Sequence, residues 1–373
     1  MKIVVAYRAF DGVAGGVQRM ACRLMNEMVA RGHDITLLTW DKEDATSFYP
    51  IDERVEWIKV SIGDYKRKAT FSERIRRGAR VRNILKGRRP DVIISFMDGA
   101  YFAIRPFIMG LGIPLILAER NAPHRYDHLK GGQYRNLIFQ TYRFADAVTI
   151  QCESFRERYP AFLRLKIETI PNPVFRPDPE EKKHYENMWK YDKVLLSVGR
   201  LGYQKNFLPL VRAFAALADE CKEWGLVIVG EGEDRGELEA EIAKFDLSDR
   251  ILMPGAMADV WKAYGCADLF CLPSRWEGFP NALAEALIRG VPAIGYKESA
   301  GVCDLILEQR NGTLAEGNGD VDSLVRALKP LMQDNDLRHR LAQNAPNTMM
   351  EYDPPHIYDE WERLFRKVGN KGG

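Results

Sequence analysis

Residues 271–290, Cys271 to Gly290, read CLPSRWEGFPNALAEALIRG. An apolar run, expected to be a β-strand, ends at Pro273-Ser274. A tight turn then carries Arg275, Trp276 and Glu277, and Pro280 opens a helical pattern that holds a second acid, Glu285. Proline suits a first helical turn because its missing N–H would be unpaired there. The other N–H groups of that turn, together with the helix dipole, make a seat for an anion such as a diphosphate. One carboxylate lies just before the seat and the other inside the helix, so both can address one crevice. A strand running through a short turn into a helix is the unit from which a parallel sheet is wound.

That unit recurs outward from residue 271 in both directions. On the amino-terminal side, strands are expected over Lys2–Ala6, Asp34–Thr39, Val55–Val60, Asp91–Phe96, Pro114–Ala118 and Ala147–Gln151. Amphipathic segments lie between them, such as Val17–Arg31 with Met20, Leu24 and Met28 at helical spacing. Residues 170–180, IPNPVFRPDPE, hold four prolines and read as an extended linker. The pattern then restarts, with strands over Val194–Val198, Leu226–Val229, Ile251–Met253, Leu269–Leu272 and Ala293–Gly295, and helices such as Phe207–Ala218 and Glu237–Phe245. The expected architecture is therefore α/β, with two doubly wound Rossmann-like parallel-sheet domains facing across a cleft. A first domain covers 1–170, a linker 171–180 and a second domain 181–354, with a C-terminal helix within 355–373 placed to cross back. Ligands of such sheets bind outside the carboxyl ends of the strands.

A chain of 373 residues with 46% apolar and 28% charged residues fits a soluble two-domain protein. No apolar run reaches the roughly 18–20 residues of a spanning helix, and MKIVVAYR is not a signal peptide. The six cysteines are scattered without a CxxC pair, which points to core thiols in a reducing cytosol rather than zinc or disulfides.

Several turns carry candidate chemistry. Arg200 and Lys205, in LLSVGRLGYQKN, flank a glycine-containing turn after a strand. Two cations there fit a clamp on phosphate oxygens, or two solvated loop charges. Gly230-Glu231 and Met253-Pro254 stand at two further strand ends, where free backbone could read a nucleobase or simply turn the chain. Glu277 and Glu285 could be a hydrolytic pair; Glu285 could equally hold vicinal hydroxyls of a ribose. Gly15 and Gly16 open the first helix without a GxGxxG spacing, and Asp41 lies beyond Trp40, so a dinucleotide dehydrogenase is a poor fit. Glu119, Arg120, Asn121 and His124 follow the fifth strand as acceptor-side candidates; a lone His is most often a loop residue. Asp320-Val321-Asp322 and Asp334-Asn335-Asp336 read as helix caps rather than metal ligands, so no metal is expected.

Lys66 to Arg89 holds eleven Lys or Arg against one acid, Glu73, with apolar residues interleaved. It reads as a face for an anionic membrane surface or other anion, or as a solvated cover of the sheet. Scarce aromatics argue against nucleic acid.

The segment PSRWEGFPNALAEALIRGVPAIG resembles the signature of glycosyltransferase family 4, the retaining enzymes of the GT-B fold. Glu277 and Glu285, seven residues apart, match its E-x7-E motif; SVGRLGYQKN, VIVGEGEDRGELE and ILMPGA match three further loops. The resemblance implies a nucleotide-sugar donor as co-substrate, with no other cofactor and no metal. It implies that Arg200 and Lys205 bind the donor diphosphate, Glu277 the transferred sugar and Glu285 the ribose. Backbone over Gly278, Phe279, Pro280, Asn281 and Ala282 would meet phosphates or sugar. Gly230, Glu231, Met253 and Pro254 would line the base, and Gly15 and Gly16 would approach the phosphates. His124 would be a first-domain catalytic contact. The expected activity is transfer of a hexose or N-acetylhexosamine, from a UDP-sugar before a GDP-sugar, to a lipid-linked saccharide or lipopolysaccharide-type acceptor in cell-surface glycan synthesis. The expected location is cytoplasmic, peripheral on the inner face of the membrane. A GT-B-fold sugar-nucleotide epimerase, or a non-catalytic sugar-nucleotide or membrane-binding module, are the alternatives.

Overall fold

The computed structural model describes residues 1–13, 15–64, 67, 69–176 and 188–370. Lys66 and Lys68 of the basic segment and 177–180 of the linker lie outside the described residues. The chain divides into two compact units, Met1–Asn172 with Pro355–Gly373, and Pro173–Pro354.

The first unit runs β1 (Lys2–Tyr7), α1 (Gly16–Ala30), β2 (Asp34–Thr39), β3 (Glu56–Lys59), α2 (Phe71–Arg88), β4 (Val92–Phe96), α3 (Met97–Ile108), β5 (Leu115–Ala118), α4 (Arg135–Tyr142), β6 (Ala147–Ile150), α5 (Ala161–Arg164) and β7 (Ile167–Thr169). Its strands form one seven-stranded sheet in the order β3-β2-β1-β4-β5-β6-β7, and every pairing is parallel. The three-residue edge strand β7 was not anticipated, because IET between charged neighbours carries too short a pattern to register. Helix α2 begins with a capping box: the Thr70 hydroxyl accepts from Glu73 N–H, and the Glu73 carboxylate accepts from Thr70 N–H at 2.8 Å. The only acid of the basic stretch thus closes the end of its own helix.

The second unit runs β8 (Lys193–Val198), α6 (Leu208–Leu217), β9 (Trp224–Val229), α7 (Arg235–Lys244), β10 (Ile251–Gly255), α8 (Val260–Gly265), β11 (Leu269–Leu272), α9 (Asn281–Ile288), β12 (Ala293–Tyr296), α10 (Val302–Leu305), β13 (Gly312–Ala315), α11 (Val321–Gln333) and α12 (Asn335–Thr348). Its sheet is six-stranded and parallel, ordered β10-β9-β8-β11-β12-β13. Alternation along the strands sorts side chains onto two faces. Leu195, Leu226, Ile228, Leu269 and Cys271 join α6, α7 and α11 in one core. Val194, Leu196, Val227, Phe270 and Leu272 join α8, α9 and α10 in the other. Leu283 and Leu287 of α9, each 0% exposed and one turn apart, anchor it; full burial of such a side chain contributes roughly 1.5–3 kcal/mol. Strand β10 continues through Pro254 to Gly255 with a register shift between Leu252 and Gly255, tolerated because β10 is an edge strand.

The last helix, α13 (Pro354–Gly369), packs with the first unit. Trp361 is 0% exposed. Arg31 Nη1 donates to Asp359 at 2.6 Å and Glu362 at 3.1 Å, and Lys367 pairs with Glu168. Arg366, with Arg31 and His33 beside it, draws the Glu362 carboxyl down to about 2 against its burial.

Candidate functional site

In the second unit every strand points the same way, so the turns after β8, β9 and β10 gather at one end of the sheet, with the β11–α9 turn beside them. Backbone bonds tie the first three together. Gly199 N–H donates to Val229 at 3.0 Å, Leu201 N–H to the Glu231 carbonyl at 2.9 Å, and Gly230 N–H to the Gly255 carbonyl at 2.9 Å. Glycine is required where these turns cross. A Cβ on Gly230 (φ +151°) would lie 1.9 Å from the Gly199 carbonyl oxygen, and one on Gly232 2.0 Å from that of Leu201. Arg235 adds a side-chain tie, pairing with Glu231 at 2.9 Å while its Nη2 donates to the Met253 carbonyl at 2.9 Å.

Glu277 stands in the centre of this frame and is 7% exposed. Its Oε1 accepts from Lys205 Nζ at 2.7 Å and from Ser274 Oγ at 2.7 Å, and Gln204 Nε2 lies 3.4 Å from Oε2. The backbone around it is equally held: Glu277 N–H donates to the Ala300 carbonyl at 2.7 Å, and Gln204 Nε2 to the Trp276 carbonyl at 2.8 Å. Gly301, at φ +82°, passes so close that a Cβ would sit 2.4 Å from the Glu277 carbonyl oxygen. Glycine at 199 likewise leaves room for the Lys205 stem, whose Cε would be 2.7 Å from a Cβ there. The two cations that the sequence paired are therefore in different states. Lys205 is half-buried and engaged with Glu277, whereas the Arg200 side chain is 71% exposed with Glu233 4.0 Å away. An exposed contact of that length holds little, so Arg200 is available to a ligand.

Helix α9 begins at Asn281, one residue later than the sequence suggests. Pro280 is the N-cap residue, and its carbonyl accepts the first intrahelical bond, from Ala284 at 3.0 Å. No side chain caps this end. Gly278 is buried, and Phe279, 6% exposed, packs edge-on against Tyr352, so only backbone there can meet a ligand. Glu285 is half-buried on α9 and accepts from the Tyr264 hydroxyl at 3.1 Å. Tyr264 itself is 1% exposed and packs against Phe270. The sequence singled out neither Tyr264, Ser274, Gln204, Arg235 nor Gly301. Gln204, Arg235 and Ser274, lying inside quoted motifs, carried a signal; Tyr264 and Gly301 did not.

In the first unit, Gly15 is the N-cap of α1 and Gly16 its first residue. The β1–α1 turn is held by Asp41, which is 0% exposed and accepts from Phe10 N–H at 2.9 Å. Burial raises its carboxyl. The residues after β5 divide. Glu119 (2% exposed) and Arg120 (5% exposed) turn inward. Glu119 meets Arg125 at 3.2 Å and accepts from the Tyr142 hydroxyl at 3.1 Å. Burial pushes its carboxyl up to about 7 against the pull of Arg125. Arg120 donates to the Ile170 carbonyl at 3.2 Å and to Asn172, and lies over the Trp361 ring of α13. Asn121 Oδ1 accepts from Ala122 N–H at 2.9 Å, and half-buried His124 stacks edge-on to Phe155 at 6.0 Å. Asp320 and Asp334 cap α11 and α12, accepting from Ser323 N–H at 2.7 Å and Leu337 N–H at 2.9 Å.

The two parallel Rossmann-like units have the GT-B architecture, and the chain belongs to glycosyltransferase family 4. Residues 179–348 match the family described as glycosyl transferases group 1, and residues 15–173 the glycosyl transferase 4-like domain. Among its relatives is the GalNAc-alpha-(1->4)-GalNAc-alpha-(1->3)-diNAcBac-PP-undecaprenol alpha-1,4-N-acetyl-D-galactosaminyltransferase of Campylobacter jejuni, 27% identical over 361 residues and covering 96% of both chains. Solved structures are also similar, two of them as follows. The lipopolysaccharide outer core galactosyltransferase WaaB has a TM-score of 0.75 at 20% identity, covering 99% of this chain and 100% of that one. Anabaena HepE in complex with UDP and glucose has a TM-score of 0.82 at 17% identity, covering 98% of this chain and 99% of that one.

Proposed function

We propose that this glycosyltransferase moves a hexose or N-acetylhexosamine from a UDP-sugar to a hydroxyl of a lipid-linked saccharide or lipopolysaccharide-type acceptor, with retention of the anomeric configuration. The observation that carries the reading is the half-buried Lys205–Glu277 contact of 2.7 Å at the mouth of the second sheet. A hydrolytic carboxylate pair would leave Glu277 open to water. Here a cation, a hydroxyl and an amide orient it, as suits a group that holds sugar hydroxyls while Lys205 faces a phosphate. Arg200, whose side chain is 71% exposed, would close on the diphosphate with its fork of donors. The uncapped start of α9 adds its dipole, and Glu285, aimed by Tyr264, would accept from the ribose hydroxyls. Gly230, Glu231, Met253 and Pro254 would line the base. The acceptor hydroxyl attacks the anomeric carbon on the face that the leaving diphosphate vacates, and that diphosphate takes the hydroxyl proton. The C–O bond to the diphosphate breaks as the new glycosidic bond forms. Lys205, Arg200 and the helix end stabilise the charge left on the nucleotide.

Metal independence belongs to this proposal, since the first Asp of each pair acts as a helix cap; loss of activity in EDTA that Mn²⁺ restores would refute it. Attachment to the inner face of the cytoplasmic membrane is also part of it. No helix among the described residues is long and apolar enough to cross a membrane, but α2 presents Phe71 (80% exposed) and Ile75 (48% exposed) among its arginines. Flotation with anionic but not neutral liposomes is the expected result. The test of the whole reading is a thermal-shift panel of UDP-, GDP- and ADP-sugars, followed by NMR of the product's anomeric configuration. Only a donor that binds the folded state raises the melting point. An inverted product, or consumption of the donor without an acceptor to give an epimer, would overturn it.

A further inference from the structure

Strand order in the first unit reverses between β1 and β4. The chain leaves β1 for β2 and β3 on one side and returns to β4, β5, β6 and β7 on the other. Open parallel sheets hold ligands outside the carboxyl ends of strands at such a switch point. Asp98 stands there, two residues past the end of β4 at Phe96. Strand β4 enters α3 without a loop, and Met97 makes the bend at φ +67°, a left-handed conformation that costs a non-glycine residue free energy. The Asp98 side chain beyond it is 28% exposed.

The two oxygens of this carboxylate differ. Oδ2 accepts from Arg125 Nη2 at 2.8 Å and lies 3.4 Å from the Tyr126 hydroxyl, whereas no described residue bonds Oδ1. Arg125 is in turn fixed from behind, with Nη1 3.2 Å from Oε1 of Glu119 and Nη2 3.3 Å from Oε2. One guanidinium thus serves two carboxylates, one buried and one open to solvent. The ionised form of the buried one is incompletely satisfied. Oε2 of Glu119 accepts from Tyr142 at 3.1 Å, but Oε1 makes no hydrogen bond, and neither does the buried Tyr159 hydroxyl. Arg125 and Tyr126 of the turn Pro123–Asp127, Asp98 of α3, Tyr142 of α4, Tyr159, and Arg120 beside it are the charged or titratable groups that act on Glu119. Burial pushes its carboxyl up to about 7; Arg125 pulls down, Asp98 pushes up and the Tyr142 hydroxyl pulls down.

We infer that Asp98 accepts a hydrogen bond from a hydroxyl of the acceptor saccharide, and that Glu119 is the positioning residue that holds Asp98 through Arg125, so that the proton on Glu119 governs use of the acceptor. It rests on the transfer reaction proposed above, and adds to it a contact and a pH response. Ionised Glu119 holds Arg125 from the side opposite Asp98. Protonation removes one of the two charges that fix the guanidinium, and Asp98 loses its orientation. Stability moves the other way. Between about pH 4.5 and about pH 7 the folded chain holds the Glu119 proton and the unfolded chain does not, so this group stabilises the fold as pH falls. A residue that served the fold alone would move activity and stability together.

The experiment measures sugar transfer to inner-membrane vesicles of the source organism, from the donor that the thermal-shift panel identifies, at varied vesicle concentration and pH. In the wild type, kcat/KM for the vesicle acceptor should fall roughly ten-fold from about pH 8 to about pH 6, as the ionised share of a group at about 7 does. The fall should lie in acceptor KM, with donor KM level. Glu119→Gln should abolish this limb, and the Tm of the wild type relative to Glu119→Gln should rise as pH falls. His124 and Asp127, the other titratable groups of the turn besides Arg125 and Tyr126, remain in that variant, so a limb they caused would persist. Tyr142→Phe removes a bond that favours ionised Glu119 and should shift the limb to higher pH; it also serves if Glu119→Gln fails to fold. Asp98→Asn should raise acceptor KM roughly ten-fold or more, as loss of a hydrogen bond to a charged group does, with donor KM unchanged. A limb unmoved by both the Glu119 and Tyr142 changes, or equal losses for donor and acceptor in Asp98→Asn, would overturn the inference while leaving the transferase reading intact. No transfer by the wild type from any donor would refute the transferase reading, and the inference with it.

Discussion

Removing the Lys205 amine tests the donor site most directly, because two different quantities should respond by different rules. Lys205→Met deletes the 2.7 Å contact to Glu277 and leaves that carboxylate with Ser274 at 2.7 Å and Gln204 at 3.4 Å. Breaking a fully buried ion pair costs about 3–5 kcal/mol. The side chains here are 17% and 9% exposed, so water still reaches them and about 1–3 kcal/mol is the better expectation. For a unit of this size that corresponds to a fall in Tm of roughly 2–12 °C. Turnover loses a group facing the leaving diphosphate, on the order of 2–4 kcal/mol by comparison with one oxyanion donor. That is a drop of roughly 30- to 1,000-fold in kcat. The double variant Lys205→Met with Glu277→Gln separates the two effects. It removes the uncompensated charge and should regain most of the lost Tm, while kcat stays as low as in the worse single variant. Differential scanning calorimetry and a coupled assay of nucleotide release on the four proteins of the cycle supply the numbers. Recovery of turnover along with stability would mean that the pair only props up the loop, and the assignment of Lys205 to the diphosphate would fall.

The other predictions are narrower. Gly301→Ala should lower both stability and kcat, because a side chain at φ +82° meets the Glu277 carbonyl at 2.4 Å. A loss confined to KM would show that the Glu277 backbone tolerates displacement. Tyr264→Phe removes the 3.1 Å bond to Glu285 and should raise KM for a UDP-sugar several-fold. The same change should hardly affect the 2′-deoxy donor, so equal losses on both would remove Glu285 from the ribose. Arg200→Ala should leave Tm within about 1 °C, as its side chain is 71% exposed, yet lower kcat as strongly as the Lys205 change; unchanged turnover would exclude it from the site. Glu362 links pH to the docking of α13. Its pKa is held at about 2, below the usual 4.5, so its contribution is complete above about pH 4.5 and is lost as pH falls toward 2. Glu362→Gln should flatten acid unfolding in that window, followed by circular dichroism; an unchanged acid limb would place the acid sensitivity elsewhere.

Much of this protein was legible before any coordinates. The strand–turn–helix unit around residues 271–290 and its repeats specify two parallel sheets, because apolar runs buried on both faces cannot be solvated. The glycines at strand ends and the spacing of Glu277 and Glu285 were visible for the same reason: they are local. Local signals also placed the caps at Asp320 and Asp334, where an Asp precedes a helical pattern. What the tertiary structure decided is which side chains meet. Only the parallel packing of β8 beside β11 brings Lys205 to Glu277, 72 residues away. Only the fold buries Tyr264 under Glu285, or turns Glu119 and Arg120 inward toward Tyr142 and α13 while Arg200 stays exposed. Sequence spacing encodes periodicity along one element, and whether a charge faces solvent or a partner depends on elements far off in the chain. Around Trp276 and Glu277, then, the sequence determined a turn before a helix and two acids at a fixed interval; the folded chain determined that the first is clamped by a lysine, a serine and a glutamine.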